Sequence, residues 1–209
     1  MRSVSLSRGA VILCGGASTR MGRDKAWLPF GPEEVSLQRV VRLVGEVVPP
    51  ERIVCVAAAE QSLPPLPADV QVIRDVEKYG GPLAGLALGI AALGSRADAA
   101  FVCGCDAPLL VPAFIARLFD LLADHQIVAP HDGSRLHPLA AVYRSDVLPI
   151  AESLLAAGER SLQALLERCD TLRMPTDELR SVDPSLASLE NCNSLDDYQR
   201  MLRTLGFLA

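Results

Sequence analysis

The chain has 209 residues, half of them hydrophobic and only 4% aromatic, with a formal net charge of −5. That length suits one domain whose core is built from Val, Leu, Ile and Ala, and the acidic balance argues against a general nucleic-acid or anionic-membrane surface. No uninterrupted apolar run approaches the ~20 residues of a membrane span, and the polar start Met1 to Ser7 lacks the apolar centre of a signal peptide, so a cytoplasmic protein is expected.

In chain order, the first apolar run, Ala10–Leu13, reads as a buried strand. It stops at Cys14-Gly15-Gly16-Ala17-Ser18-Thr19-Arg20-Met21-Gly22-Arg23-Asp24-Lys25. A strand feeding a glycine-rich, basic loop brings bare backbone N–H groups and cations against a polyphosphate. Gly15, Gly16 and Gly22 allow close backbone approach, while Arg20 and Lys25 supply charge for phosphate oxygens. The string is neither G-x-G-x-x-G nor a P-loop, since no G-K-[ST] follows. The alternative is an ordinary turn with surface charges. Leu37, Val40, Val41, Val44 and Val48 then recur at helical spacing until Pro49-Pro50 ends the segment. A strand over Ile53–Ala57, a stiff connector Leu63-Pro64-Pro65-Leu66-Pro67 and a strand over Val70–Ile73 follow. Asp75 stands just past that third strand, where a turn-forming surface aspartate is one reading and a ligand contact the other. Tyr79-Gly80-Gly81-Pro82-Leu83-Ala84-Gly85 is a second glycine-rich turn, opening a small-residue helix from Leu86 to Leu93. Gly81 lets backbone approach a base or ribose there, and Pro82 suits a first helical turn.

The fourth strand, Ala99–Cys103, runs into Cys105-Asp106-Ala107-Pro108 and so places a carboxylate at a strand end. Such a group suits Mg²⁺, which takes one or two carboxylates together with waters and substrate phosphates; the alternative is a cap for the helix that Pro112 opens. That helix runs through Leu122. Strands are expected over Gln126–Pro130 and His137–Tyr143, and helices over Asp146–Ala156, Ser161–Arg168 and Leu195–Thr204. Buried runs joined by helical crossovers imply an α/β, doubly wound, mostly parallel sheet with helices on both faces, whose ligands bind at the carboxyl ends of the strands. The six cysteines (14, 55, 103, 105, 169 and 192) form no C-x-x-C pair and have no histidine partners at zinc spacing, so they read as reduced structural thiols.

The stretch from Leu13 to Lys25 resembles the opening of the molybdenum cofactor guanylyltransferase family, L-x-G-G-x-S-x-R-M-G-x-D-K, at every defined position. Sugar-phosphate and isoprenoid-precursor nucleotidyltransferases open similarly. The resemblance runs from about residue 9 to residue 204, with elements in family order. It implies a Rossmann-like nucleotidyltransferase fold in a single domain over 1–209, the nucleotide held by about 9–110 and the acceptor by about 111–209. It further implies that Leu13, Gly15, Gly16, Lys25, Asp75 and Gly81 contact the nucleotide, with Arg20 and Lys25 serving phosphoryl chemistry and Asp106 both catalytic and the Mg²⁺ ligand. Gly158-Glu159-Arg160-Ser161-Leu162 resembles a family segment whose arginine, here Arg160, lies near the acceptor phosphate; an N-cap Ser161 beside a solvated arginine is the alternative. Asn191-Cys192-Asn193-Ser194-Leu195 resembles N-x-N-T-P, which implies that Asn191 and Asn193 approach the acceptor, with Ser194-Leu195 in place of Thr-Pro. Arg135 to Arg144 resembles the segment flanking the acceptor site, where His137 is either a substrate contact or a structural histidine.

The activity implied is Mg²⁺-dependent transfer of GMP from GTP to molybdopterin or the molybdenum cofactor, with release of pyrophosphate. A molybdenum-insertion enzyme and acceptor molybdoenzymes are the implied protein partners, with neither nucleic acid nor membrane involved. The loop Ala57-Ala58-Ala59-Glu60 lacks the Asn that some members carry near guanine, and Phe30 to Ser36 lacks their compact G-x-P-L turn. Transfer of another base or to another acceptor, of cytidylyl or sugar-phosphate type, and a non-catalytic nucleotide-binding carrier of cofactor are the alternatives.

Overall fold

A computed structural model describes residues 6–15, 24–75 and 80–208. Arg20 and Gly16 lie outside those residues.

Seven strands form one sheet: β1 (Arg8–Leu13), β2 (Ile53–Ala58), β3 (Gln71–Asp75), β4 (Ala99–Gly104), β5 (Ile127–His131), β6 (Ala140–Arg144) and β7 (Thr171–Pro175). Their order is β3-β2-β1-β4-β6-β5-β7, and every neighbouring pair is parallel except those made by β6. The chain therefore adds strands outward from β1 in one direction and then returns to its other side with β4. The crevice between the carboxyl ends of β1 and β4 is the switch point at which such sheets bind ligands. Leu13 and Gly104 are register partners at that point, and the Cys105 N–H donates to the Leu13 carbonyl at 3.0 Å.

The helices are α1 (Ser36–Gly45), α2 (Gly81–Leu93), α3 (Pro112–Leu121), α4 (Leu148–Ala156), α5 (Leu162–Arg168), α6 (Thr176–Leu179) and α7 (Leu195–Thr204). Alternate residues of the central strands point to opposite faces, so each fully buried strand feeds two cores. Ala10, Ile12, Cys55 and Phe101 pack with Leu37, Val40 and Val44 of α1 and Phe114, Ile115 and Leu118 of α3. Val11, Val54, Val56 and Val102 pack with Leu83, Leu86 and Ile90 of α2, Ala151 of α4 and Leu162 and Leu165 of α5. Helix α2 begins five residues before the expected Leu86. Its small residues explain its closeness to β1: a Cβ at Gly85 would stand 3.0 Å from Leu13 Cδ2, and one at Gly89 would run into Val11. A third cluster joins Leu28, Phe30 and Leu109 to Cys192 and to Met201 of α7, with Phe30 and Tyr198 edge to face at 5.3 Å.

The expected strands and longer helices are present with small shifts of boundary, and β7 and α6 are additions. Strand β6 is antiparallel because only the short segment 132–139 separates it from β5, too little for a helical crossover. All six cysteines are free thiols; hydrogen bonds with Cys105 and Cys55, together with burial, push that of Cys14 well up, and burial does the same for Cys103. Among the described residues no helix is long and apolar enough to cross a membrane.

Candidate active site

Lys25 begins a short 3-10 turn, Lys25–Trp27, just beyond the glycine-rich loop, and the Asp24 side chain caps that turn by accepting from the Ala26 N–H at 2.9 Å. The Lys25 ammonium reaches across the switch point. It donates to Asp106 Oδ2 and to Asn193 Oδ1, each at 2.8 Å. Three segments far apart in sequence thus meet at one nitrogen. The Lys25 and Asp106 side chains keep 23% and 18% exposure, so the pair is partly open to solvent rather than sealed in the core.

The turn after β4 is braced on three sides. Ser36, fully buried at the start of α1, donates from Oγ to the Cys105 carbonyl at 2.7 Å, and Arg39 Nε donates to the Pro108 carbonyl at 2.8 Å. From the C-terminal segment, the Cys192 N–H donates to the Asp106 carbonyl at 2.8 Å. A Cβ at Gly104 would run into Asp106 Oδ1, so a larger residue there would displace the carboxylate from its place beside Lys25. Asp106 does not cap α3; the N-cap position is Val111, and no side chain caps the helix. Cys192 N–H also seats its neighbours. Asn193 projects to Lys25, while Asn191 lines a groove of about 160 Å³ together with Arg135, His137, Leu139 and Ser188.

Among the described residues no group of three or more His, Cys, Asp or Glu side chains gathers to hold a metal. The donor set at the switch point is one carboxylate with an amide oxygen bonded to the same ammonium. That set fits Mg²⁺, which keeps several waters and draws other ligands from substrate phosphates instead of a protein cage.

The remaining expected residues fall into two groups. Leu13 ends β1 beneath α2, and Gly15 is exposed just past it. Asp75 ends β3 against the second glycine turn: a Cβ at Gly80 would stand 3.2 Å from its Oδ2. Gly81 has φ +72°, a conformation that favours glycine, and a Cβ there would stand 3.0 Å from the Arg160 carbonyl oxygen. The fold therefore brings Gly81 and Arg160 together through backbone. The Arg160 guanidinium is exposed and donates to the carbonyls of Leu155 and Glu159, and Ser161 caps α5 by accepting from the Gln163 N–H. Ser194 likewise caps α7, in a reciprocal box with Asp197. His137 Nε2 meets Asp132 Oδ2 at 2.9 Å, and hydrogen bonds from Ser134 and Arg135 hold the Asp132 carboxyl far below the usual carboxylate range.

Three residues that sequence motifs did not single out shape the site: Ser36, Arg39 and Gln61. Gln61 donates to the Cys14 carbonyl and to the Asp24 carboxylate, each at 2.9 Å, so it spans both stems of the glycine-rich loop. No local signal marks these side chains, since each acts on a backbone group dozens of residues away.

Residues 10–173 match the model of the MobA-like NTP transferase domain. A Mycobacterium marinum protein named "Probable molybdenum cofactor guanylyltransferase" is 38% identical over 205 residues, 96% of each chain. A Mycobacterium tuberculosis protein of the same name is 40% identical over 168 residues, 78% of this chain and 81% of that one. The fold is similar to the crystal structure of molybdopterin-guanine dinucleotide biosynthesis protein A from Archaeoglobus fulgidus, with a TM-score of 0.75 at 23% identity over 95% of this chain and 98% of the other. A nucleotidyl transferase from Methanothermobacter has a TM-score of 0.71 at 17% identity, over 95% of this chain and 97% of the other. The sheet order, the switch-point site and these likenesses agree, and the chain belongs to the MobA-like NTP transferase family, an enzyme of nucleotidyl transfer.

Proposed function

We propose that the protein transfers GMP from Mg²⁺-bound GTP to the terminal phosphate of molybdopterin or its molybdenum-loaded form, releasing pyrophosphate, within a single domain. The observation that carries this reading is the Lys25 ammonium shared between Asp106 and Asn193 at the carboxyl ends of β1 and β4. The names of relatives at 38% and 40% identity support the guanylyl donor and the molybdenum-cofactor acceptor.

In the proposed reaction an oxygen of the acceptor phosphate attacks the α-phosphorus of GTP. The new P–O bond forms as the bond from the α-phosphorus to the bridging oxygen breaks, and that electron pair leaves with pyrophosphate. The nucleophile is already anionic, so no side chain must take a proton. What the protein supplies is orientation and charge. Lys25, and Arg20 in the loop, balance the negative charge that builds on the α-phosphate and the leaving group. Backbone N–H groups at Gly15 and Gly16 hold the phosphates, and Asp75 and Gly81 border the nucleoside. Asp106, with Asn193 beside it, would hold Mg²⁺, which when bound would neutralise charge on phosphate oxygens and make the phosphorus they surround more electrophilic. Asn191 and Arg160 stand on the acceptor side, where amide groups bind phosphate or pterin without adding negative charge. The product then passes, on this reading, to a molybdenum-insertion enzyme and to molybdoenzymes in the cytoplasm.

Pyrophosphate release measured with GTP or CTP, Mg²⁺, and with or without molybdopterin tests the reading. Release that requires GTP and molybdopterin together is expected. Turnover with CTP alone would move the assignment to a cytidylyl transferase, and binding of GTP without release under any acceptor would make the protein a carrier.

A further inference from the structure

Gln61 lies in the connector after β2, half-buried, and its carboxamide is engaged at both ends by the protein itself. Nε2 donates to the Cys14 carbonyl at 2.9 Å and to Asp24 Oδ2 at 2.9 Å, while Oε1 accepts from the Ala58 N–H at 3.2 Å. The reverse orientation of the amide would face its carbonyl oxygen to another carbonyl and a carboxylate, so chemistry fixes which end is which. Arg74 of β3 secures the connector by donating to the Ala58 carbonyl at 3.1 Å and to the Gln61 carbonyl. Both ends of the amide are therefore held within the protein. Gln61 joins two backbone stems.

Those stems are Cys14, which leaves β1, and Asp24, which precedes Lys25. Asp24 carries the constraint forward, since its Oδ1 also accepts from the Ala26 N–H at 2.9 Å and so fixes the turn that aims Lys25 at Asp106 and Asn193. We propose that Gln61 is a positioning residue of the nucleotide site, a latch that ties Asp24 to the end of β1 and so sets Lys25 before substrate arrives. The assignment rests on the reading of the glycine-rich loop as the GTP phosphate site. Holding Asp24 and Lys25 in place in advance removes an ordering cost that each binding event would otherwise carry.

The test compares wild type, Gln61→Ala, Gln61→Glu and Gln61→Glu combined with Asp24→Asn, by steady-state kinetics with GTP and by backbone hydrogen exchange of residues 24–28 without substrate. Gln61→Ala should lower kcat/KM about tenfold, mostly through KM for GTP, the scale of hydrogen bonds lost at a partly buried site. Gln61→Glu sets a carboxylate against Asp24 and should cost about a hundredfold. Adding Asp24→Asn gives that carboxylate a donor again and should recover about tenfold, a reversal that a general loss of stability would not produce. Faster exchange at Ala26 and Trp27 in Gln61→Ala is expected, with the thermal midpoint within about 3 °C of wild type. Unchanged kcat/KM and unchanged exchange in Gln61→Ala would overturn the latch, as would a deeper loss on adding Asp24→Asn. Wild type that binds no GTP would instead overturn the nucleotide reading, and the exchange comparison would still decide the latch.

Discussion

Replacing Lys25 by methionine keeps most of the aliphatic stem and removes the ammonium that Asp106 and Asn193 each meet at 2.8 Å. At that separation the Lys25–Asp106 attraction is about 6 kcal/mol at an effective dielectric of 20. Both side chains retain about a fifth of their exposure, so water screens the pair and the ions regain hydration when it is broken. The net effect on folding is therefore expected at about 1 kcal/mol or less. Transition-state charge has no such compensation, because it develops where the ammonium already points. Loss of one preorganised cation costs at least ~2 kcal/mol there, a fall of about thirtyfold in kcat/KM. Urea unfolding with a pyrophosphate-release assay separates the two effects. Since Lys25 and Asp106 touch, their substitutions should not multiply: Lys25→Met with Asp106→Asn should be little worse than the worse single variant. Turnover of Lys25→Met within threefold of wild type, or losses that multiply across the pair, would refute the shared role.

Ser36→Ala removes a buried donor from the Cys105 carbonyl and should cost about 1–3 kcal/mol in urea unfolding; an unchanged midpoint would contradict the brace. Gly81→Ala combines φ +72° with a contact of 3.0 Å to the Arg160 carbonyl, so a loss of at least about 1 kcal/mol is expected, and a variant as stable as wild type would show that α2 can shift at its start. The Glu34 carboxyl is held below its usual range, chiefly by Arg42 and also by Arg39. A lowered folded value means that this contribution is present above the unfolded value of about 4.3 and is lost as pH falls through the folded one. Glu34→Gln should flatten the stability profile between about pH 5 and pH 3, and an unaltered acid limb would place the dependence elsewhere.

Much of the fold was legible because its central strands are buried on both faces. Ala10–Leu13, Ile53–Ala57 and Ala99–Cys103 are continuous apolar runs, and such runs need no partner to be recognised. Strand β7, Thr-Leu-Arg-Met-Pro, is an edge strand with one buried residue, so neither apolar continuity nor alternation marks it. The place of Asp106 at a strand end could be read from the run before it. The cation it meets could not: Asp106 and Asn193 lie 81 and 168 positions from Lys25, and nothing local tells that one ammonium serves both. Helix caps behave in the opposite way. Ser161 was readable as a cap from a few residues of context, because capping is a local hydrogen bond. Gln61, Ser36 and Arg39 left no trace in motif or periodicity, since what they hold is backbone brought near by topology.

The most direct test of guanylyl transfer follows the label. With GTP labelled at the α-phosphate, Mg²⁺ and molybdopterin, label should appear in the acceptor in equal amount to the pyrophosphate released, and GTP labelled at the γ-phosphate should give labelled pyrophosphate only. Label from the γ-position on the acceptor, or α-label that never leaves the nucleotide, would contradict the account.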